Sequence, residues 1–260
     1  MPANRKEKLD KVIAAIHKRW GTQAIGRSPE QLAVNITQII TGYLELYEAI
    51  GTGGIPRGRI SELMGVPTSG MTTLALKIIA QAQVSGGMVA YLDLERSFDP
   101  AYARRFGVLL ERLTLVQPYS AGQALDMLPD FVYNGGFDLL ICDMPVRVQQ
   151  DGQIGRKLTS TLGRLLAPLG KGNVTLLFLT TLKGNKGGSQ IAASDYPQQA
   201  TLPHFATLRL LLQKERWLYR QRDVFGCEVE VIVVKNKLSA PGKQARITIS
   251  FDNPVQGVDP

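Results

Sequence analysis

Apolar residues change their spacing near residue 42, and the change divides the chain into two regions, 1–40 and 41–260. Residues 6–20, KEKLDKVIAAIHKRW, place Leu9, Val12, Ile13, Ile16 and Trp20 on one face of a helix. Gly21 supplies a C-terminal stop, with Lys18 and Arg19 in the last turn. A helix this short is not stable alone. Its apolar stripe therefore needs a partner surface, in this chain's core or on a neighbouring copy. TQAIGRSPEQ then reads as a linker with a short extended piece.

Beyond GYLELYEAIGTGGIPRG, broken by Gly51, Gly53, Gly54 and Gly58, strand and helix patterns alternate. Strands are predicted at 59–65, 88–95, 113–117, 137–143 and 173–181, and helices at 71–84, 122–135 and 156–170. AYARRFGV adds a short helix after the second strand. FDLLICD and NVTLLFLTT are near-continuous apolar runs, which suit a parallel sheet covered on both faces. The last third carries three strand patterns, TLRLLLQKE, EVEVIVVKNK and ARITISF, and no convincing helix. These are expected to extend the sheet with antiparallel strands.

Composition adds limits. At 260 residues, 44% hydrophobic and 20% charged, the chain suits one sizeable globular core with a small accessory segment. No apolar run approaches the roughly 18 residues of a membrane span, and MPANRKEKLDK does not read as a secretory signal. Cys142 and Cys227, widely separated, fit a reducing cytoplasm better than a disulfide scaffold. The formal charge of +8 fits a soluble basic surface or a polyanion partner such as nucleic acid.

The candidate chemistry begins at GVPTSGMTT, residues 65–73. With lysine in place of Met71 it would be a phosphate-binding loop, G-x-x-x-x-G-K-[ST]. A strand, a glycine-bearing loop and a helix aim backbone N–H groups at one point, which binds phosphate without side-chain charge. Gly65 and Gly70 permit the turn, and Thr72 stands where the motif's hydroxyl binds Mg²⁺. A structural glycine turn is the alternative. Glu95 and Asp143 each close a predicted parallel strand, at the end where ligands bind. An aspartate after four apolar residues suits a carboxylate that holds Mg²⁺ through water.

GTGGIPRGRISELMG, YLDLERSFDPAYARRFGV, VVKNKLSAPGKQARI and LDKVIAAIHKRWGTQAIGR each resemble a segment of the bacterial recombinase RecA family, and they stand along the chain in that family's order. The chain resembles the family over nearly its whole length. The resemblance implies an α/β, RecA-like P-loop fold: a mainly parallel central sheet flanked by helices, with an N-terminal helix that packs protomer on protomer. It also implies ATP with Mg²⁺ as cofactor. Gly65, Ser69, Gly70, Met71, Thr72 and Thr73 would line the phosphates, and Thr72 and Asp143 would serve the metal. Glu95 would activate water. Asp99 and Tyr102 would hold adenine, with Phe251 packed near the base. Lys235 and Lys237 would reach the γ-phosphate of a neighbouring protomer.

The sequence departs from that pattern in four places. Met71 removes the loop lysine. Thr180 and Thr181 stand where the family carries a glutamine that senses the γ-phosphate. The first DNA loop, VRVQQDGQIGRK at 146–157, is short and carries Arg147, Arg156 and Lys157. The second, GNKGGSQIAASDYPQQATLPH at 184–204, carries Lys186, follows Lys183, and offers Tyr196 and His204 for stacking. Basic residues on glycine-rich loops suit a phosphate backbone bound without sequence preference. Ordinary solvated loops are the alternative. The sequence ends at GVDP without the family's C-terminal domain and acidic tail, which leaves a basic surface open to DNA.

The expectation is a cytoplasmic DNA-binding protein of recombination or repair, forming filaments on single-stranded DNA, with weak ATP binding and impaired hydrolysis. One alternative is a non-enzymatic paralogue that scaffolds a repair polymerase or RecA itself. The other is an active DNA-dependent ATPase that uses Lys235 and Lys237 in trans.

Overall fold

A computed structural model of the chain describes residues 3–22, 37–144, 151–182 and 201–251. The chain divides into two compact units, Met1–Ile36 and Thr37–Pro260. The first contains helix α1, Ala3–Trp20, whose basic residues His17, Lys18 and Arg19 fill the last turn. Leu9, Val12 and Trp20 of its apolar stripe are exposed. The unit boundary falls ahead of residue 40 because Gln38–Ile39 (β1) pairs with Ile55–Pro56 (β2).

The second unit is built on an eight-stranded sheet. In chain order its elements are β3 (Ile60–Gly65), α3 (Met71–Val84), β4 (Val89–Asp93), α4 (Pro100–Arg105), β5 (Leu113–Val116) and α5 (Ala121–Asn134). Then come β6 (Leu139–Asp143), α6 (Gly152–Lys171), β7 (Thr175–Thr181), α7 (Leu202–Phe205), β8 (Leu208–Arg220), β9 (Asp223–Asn236) and β10 (Gln244–Ser250). Helix α2, Leu44–Ile50, lies between the two short strands β1 and β2. The sheet order is β10-β9-β8-β3-β7-β6-β4-β5.

Alternation along the strands divides the core between two faces. Leu139 and Ile141 join Leu177 and Leu179 beneath α3, while Leu140 and Cys142 join Leu176 and Phe178 beneath α5 and α6. Strands buried on both sides must be apolar throughout, which is the pattern the sequence carries. Cys142 and Cys227 are both buried free thiols. Among the described residues, no helix is long and apolar enough to cross a membrane.

Three expectations need correction. Strand β8 pairs parallel with β3, and only β9 and β10 add antiparallel pairings. Helix α6 begins at Gly152 rather than at 156, because Asp151 caps it by accepting from the N–H groups of Gln153 and Ile154 at 2.9 and 2.8 Å. The segment expected as the first DNA loop, 146–157, is helical from Gly152 onward. At the end of the second predicted loop, residues 202–205 are helical.

Strand β3 runs between β7 and β8 with a charge buried inside it. Glu62 is fully buried, accepts from Thr180 Oγ1 at 2.7 Å and pairs with Arg209 Nε at 2.6 Å. Arg209 also donates to Met64 Sδ at 2.9 Å. One residue from each of three adjacent strands thus fixes their register. Removing one partner of a buried pair leaves an uncompensated charge, at a cost of about 3–5 kcal/mol. Arg209→Ala should therefore lower the unfolding free energy in urea by that amount. The double variant Glu62→Gln/Arg209→Met should lose much less. Equal losses in the two variants would contradict a specific role for the pair.

Candidate nucleotide site

The site lies where β3, β7, β6 and β4 end together. Gly65 pairs with Thr181 of β7 on one side and with Leu212 of β8 on the other. From Gly65 the chain turns, with Ser69 N–H on Val66 C=O at 3.0 Å, and enters α3 at Gly70. Gly70 has φ 90°, and a Cβ there would meet Ile249 Cδ1 at 2.6 Å. A Cβ on Gly65 would lie 2.2 Å from Ser69 Oγ. Both glycines are therefore needed for the loop to fold this tightly.

The loop walls a cavity of about 220 Å³ formed by residues 66–73 with Tyr102 and Thr181. No side chain caps α3, so its first N–H groups face this space. Ser69 Oγ is buried and has no hydrogen-bond partner among the described residues. An orphaned hydroxyl beside uncapped amides suits phosphate oxygens. Thr72 is exposed at the cavity, and Thr73 Oγ1 lies 2.8 Å from Tyr102 Oη. The loop residues present thus fit the phosphates of a nucleoside triphosphate.

Met71 borders the cavity but brings no charge to it. It is 6% exposed and belongs to the apolar cluster beneath α3. Thr181 reaches the cavity wall, whereas Thr180 is buried on Glu62, so Thr181 alone faces the ligand space.

Asp143 and Glu95 stand farther along the same edge, outside the cavity lining. Asp143 pairs in register with Asp93 and accepts from Tyr91 Oη at 2.6 Å. Strand β4 ends at Asp93, so Glu95 lies in the bend that follows it and is exposed there. Asp93 was not singled out from the sequence, yet it holds that bend. Its buried carboxylate accepts from the N–H groups of Ser97 and Phe98, each at 3.0 Å, and from Gln117 Nε2 at 3.3 Å. The signal was an acid closing a fully apolar strand, which needs backbone donors.

The remaining predicted residues fall in varied places. Asp99 caps α4, accepting from Ala101 and Tyr102 N–H at 2.8 and 3.1 Å. Phe251 stands 6.3 Å from the Trp217 ring, and its carbonyl accepts from Arg105. Lys235 donates to the carbonyls of Pro203 and His204, and burial lowers its pKa. Lys237 is exposed beside it, its N–H on Thr207 C=O. Lys235 pairs with Arg209 and so lies toward the opposite end of β3 from Gly65. Lys237 lies farther still, on the order of 15 Å away by strand rise. Within one chain these lysines and the loop do not meet.

Arg156 is exposed on the first turns of α6. Lys157 is turned onto α5, where its Nζ reaches Asp126 at 2.7 Å and the Gly122 carbonyl at 2.9 Å. Its expected place on a free loop is thereby revised. Arg147, Lys183, Lys186 and Tyr196 lie outside the described residues.

Burial pushes the Asp143 carboxyl up to about 6, with Asp93 and Glu95 adding to the rise and the Tyr91 hydrogen bond opposing it. A carboxyl with a raised native pKa holds its proton longer in the folded state. Its contribution to stability therefore falls as pH rises from about 4 through about 6. Asp143→Asn should remove this component. Between pH 4 and pH 7 the variant's unfolding free energy should fall less than the parent's, by up to roughly 2–3 kcal/mol. An equal or larger fall would contradict the burial argument.

The family model described as the RecA N-terminal domain matches residues 7–256. Protein RecA of a Thermus thermophilus strain is 34% identical over 273 residues, covering 100% of this chain and 79% of that protein. Protein RecA of Thermus aquaticus is 33% identical over 273 residues, with coverage of 100% and 79%. Protein RecA of Symbiobacterium thermophilum is 33% identical over 263 residues, covering 96% of this chain and 75% of that protein. With the family match running along nearly the whole chain and relatives one-third identical, this chain belongs to the RecA family.

Proposed function

We propose that this chain is a DNA-binding protein of recombination or repair that holds ATP weakly and hydrolyses it slowly or not at all. The observation that carries the reading is Met71. It is packed into the apolar cluster and brings no charge to the loop, while Ser69, Gly70, Thr72 and Thr73 line a cavity of about 220 Å³. Relatives named RecA support the recombination and repair setting. The net charge of +8 supports a polyanion partner, read here as single-stranded DNA.

One charge-assisted contact contributes roughly 1.5–3 kcal/mol to binding. Loss of a preorganised electrostatic contact slows a reaction by about 10²–10³. Backbone amides and Ser69 remain to hold phosphate. Among the described residues, no cluster of three or more His, Cys, Asp or Glu side chains is arranged to hold a metal ion. Mg²⁺ would instead be shared between nucleotide oxygens, Thr72 and Asp143. In this reading Glu95 positions the attacking water, Asp99, Tyr102 and Phe251 border the base, and Arg147, Arg156, Lys183 and Lys186 meet DNA. The exposed stripe of α1 would pack on a neighbouring copy in a filament or on a RecA-like partner.

A second reading draws on the position of Lys235 and Lys237 at the far end of the sheet strands. There they are out of reach of their own loop; Lys237 is exposed, and Lys235 would have to leave the Pro203 and His204 carbonyls to serve a neighbour's. In that case hydrolysis would persist and depend on assembly.

ATP turnover with and without single-stranded DNA separates the readings. The first expects turnover at least about 10²-fold below that of Met71→Lys. Parent turnover equal to that of Met71→Lys would refute it. Alanine at Lys235 and Lys237 should abolish turnover only under the second.

A further inference from the structure

The phosphate loop has lost its own ammonium, and a different lysine stands at its rim. Lys214 Nζ lies 3.1 Å from Thr68 Oγ1. Thr68 belongs to the cavity wall and is one of few non-glycine residues with positive φ, 67°. A threonine in the left-handed region is strained and persists only when its surroundings hold it. The lysine is part of those surroundings.

The sheet register explains why Lys214 points there. Leu212 is level with Gly65, so Lys214 lies just past the end of β3, where the loop rises from the sheet. It pairs with Val229. Residues directly opposite in an antiparallel pair share a face. Val229 Cγ2 lies 3.2 Å from where a Gly70 Cβ would stand, so that face is the one carrying the loop. Lys214 is therefore directed at the loop by strand alternation rather than by a chance rotamer.

One further contact keeps it there, and a neighbouring ion pair removes a competing carboxylate. Its Nζ sits 3.7 Å from the centroid of the Trp217 ring. A cation over an indole face is held without being neutralised. The strand bulges between Lys214 and Arg216, and Glu215 is drawn aside to Arg246, whose Nε lies 2.6 Å from its carboxylate. Among the described residues, no ion pair involves Lys214. An ammonium carries three donors, so with one on Thr68 and one side over the Trp217 ring, a donor is left for a ligand anion.

We infer that Lys214 supplies from β8, within the same chain, the positive charge that a nucleoside triphosphate would otherwise lack at Met71. The inference rests on the proposed reading of the loop as a nucleotide site. It gives that site a side-chain cation where the sequence shows none. It also distinguishes the loop from one served in trans by Lys235 and Lys237, which lie at the other end of the strands. The charge approaches the outer turn of the loop instead of the first turn of α3, so it favours grip on the phosphates without restoring the contact made from inside the loop.

The test is equilibrium binding of ATP, and separately of adenosine, to the full chain. The variants are Lys214→Ala, Lys214→Gln and Lys214→Arg, with thermal unfolding in the absence of ligand as a check on folding. Loss of one charge-assisted contact should weaken ATP about tenfold or more in the Ala and Gln variants. Adenosine should change less than about twofold, and Lys214→Arg should retain most of the affinity. In a Met71→Lys background, Lys214→Ala should cost clearly less, because the two cations share one anion. If the parent binds ATP and the Ala and Gln variants bind it equally or more tightly, Lys214 is neutral or obstructive. The inference then fails while the nucleotide reading stands. If the parent shows no ATP binding, the reading of the loop fails and the inference with it.

Discussion

A buried carboxylate in a parallel strand fixes the geometry on which the site depends. Glu62 lies between Thr180 and Arg209, and those contacts lock β3 between β7 and β8. From that register follow the start of the loop at Gly65, the arrival of Thr181 in the cavity wall and the placement of Lys214 beyond Leu212. A slip of one residue would turn every side chain of a strand to the other face. It would also move the loop away from its neighbours. Apolar burial alone would tolerate such a slip poorly, and the ion pair forbids it.

The loop itself separates two properties that a phosphate site usually combines. Shape comes from the backbone: two glycines, an uncapped helix start and an orphaned hydroxyl. Charge comes from a side chain, and here that side chain is a buried thioether. Met71 stabilises the core beneath α3 because it is apolar, which is the same reason it gives a phosphate nothing. The carboxylates along the edge stand outside the cavity lining. Asp93 holds the bend that carries Glu95, and Asp143 is screened by burial and by Tyr91.

Much of this was legible in the chain. Helix α3 begins where Gly70 interrupts the strand pattern and ends where the apolar period stops, so its bounds were readable. The buried strands β6 and β7 were readable as unbroken apolar runs. The direction of β8 was not, because strand direction is decided by the connection and not by the strand's own residues. Asp151 was passed over as a helix cap because GQIG has no apolar period behind it. Among the acids of YLDLERSFD, the exposed Glu95 and Asp99 were singled out while the buried Asp93 was missed. Its role depends on backbone donors that only the folded bend presents. Lys214 lies too far along the chain from residue 68 for any local pattern to join them.

The most direct measurement of the central claim is a crystal structure of the protein with a non-hydrolysable ATP analogue and Mg²⁺. The account expects the triphosphate in the 65–73 cradle, on Ser69 and the first amides of α3, with Met71 still packed in the apolar cluster. A hollow filled by the Met71 thioether, with the analogue bound elsewhere or absent, would contradict it.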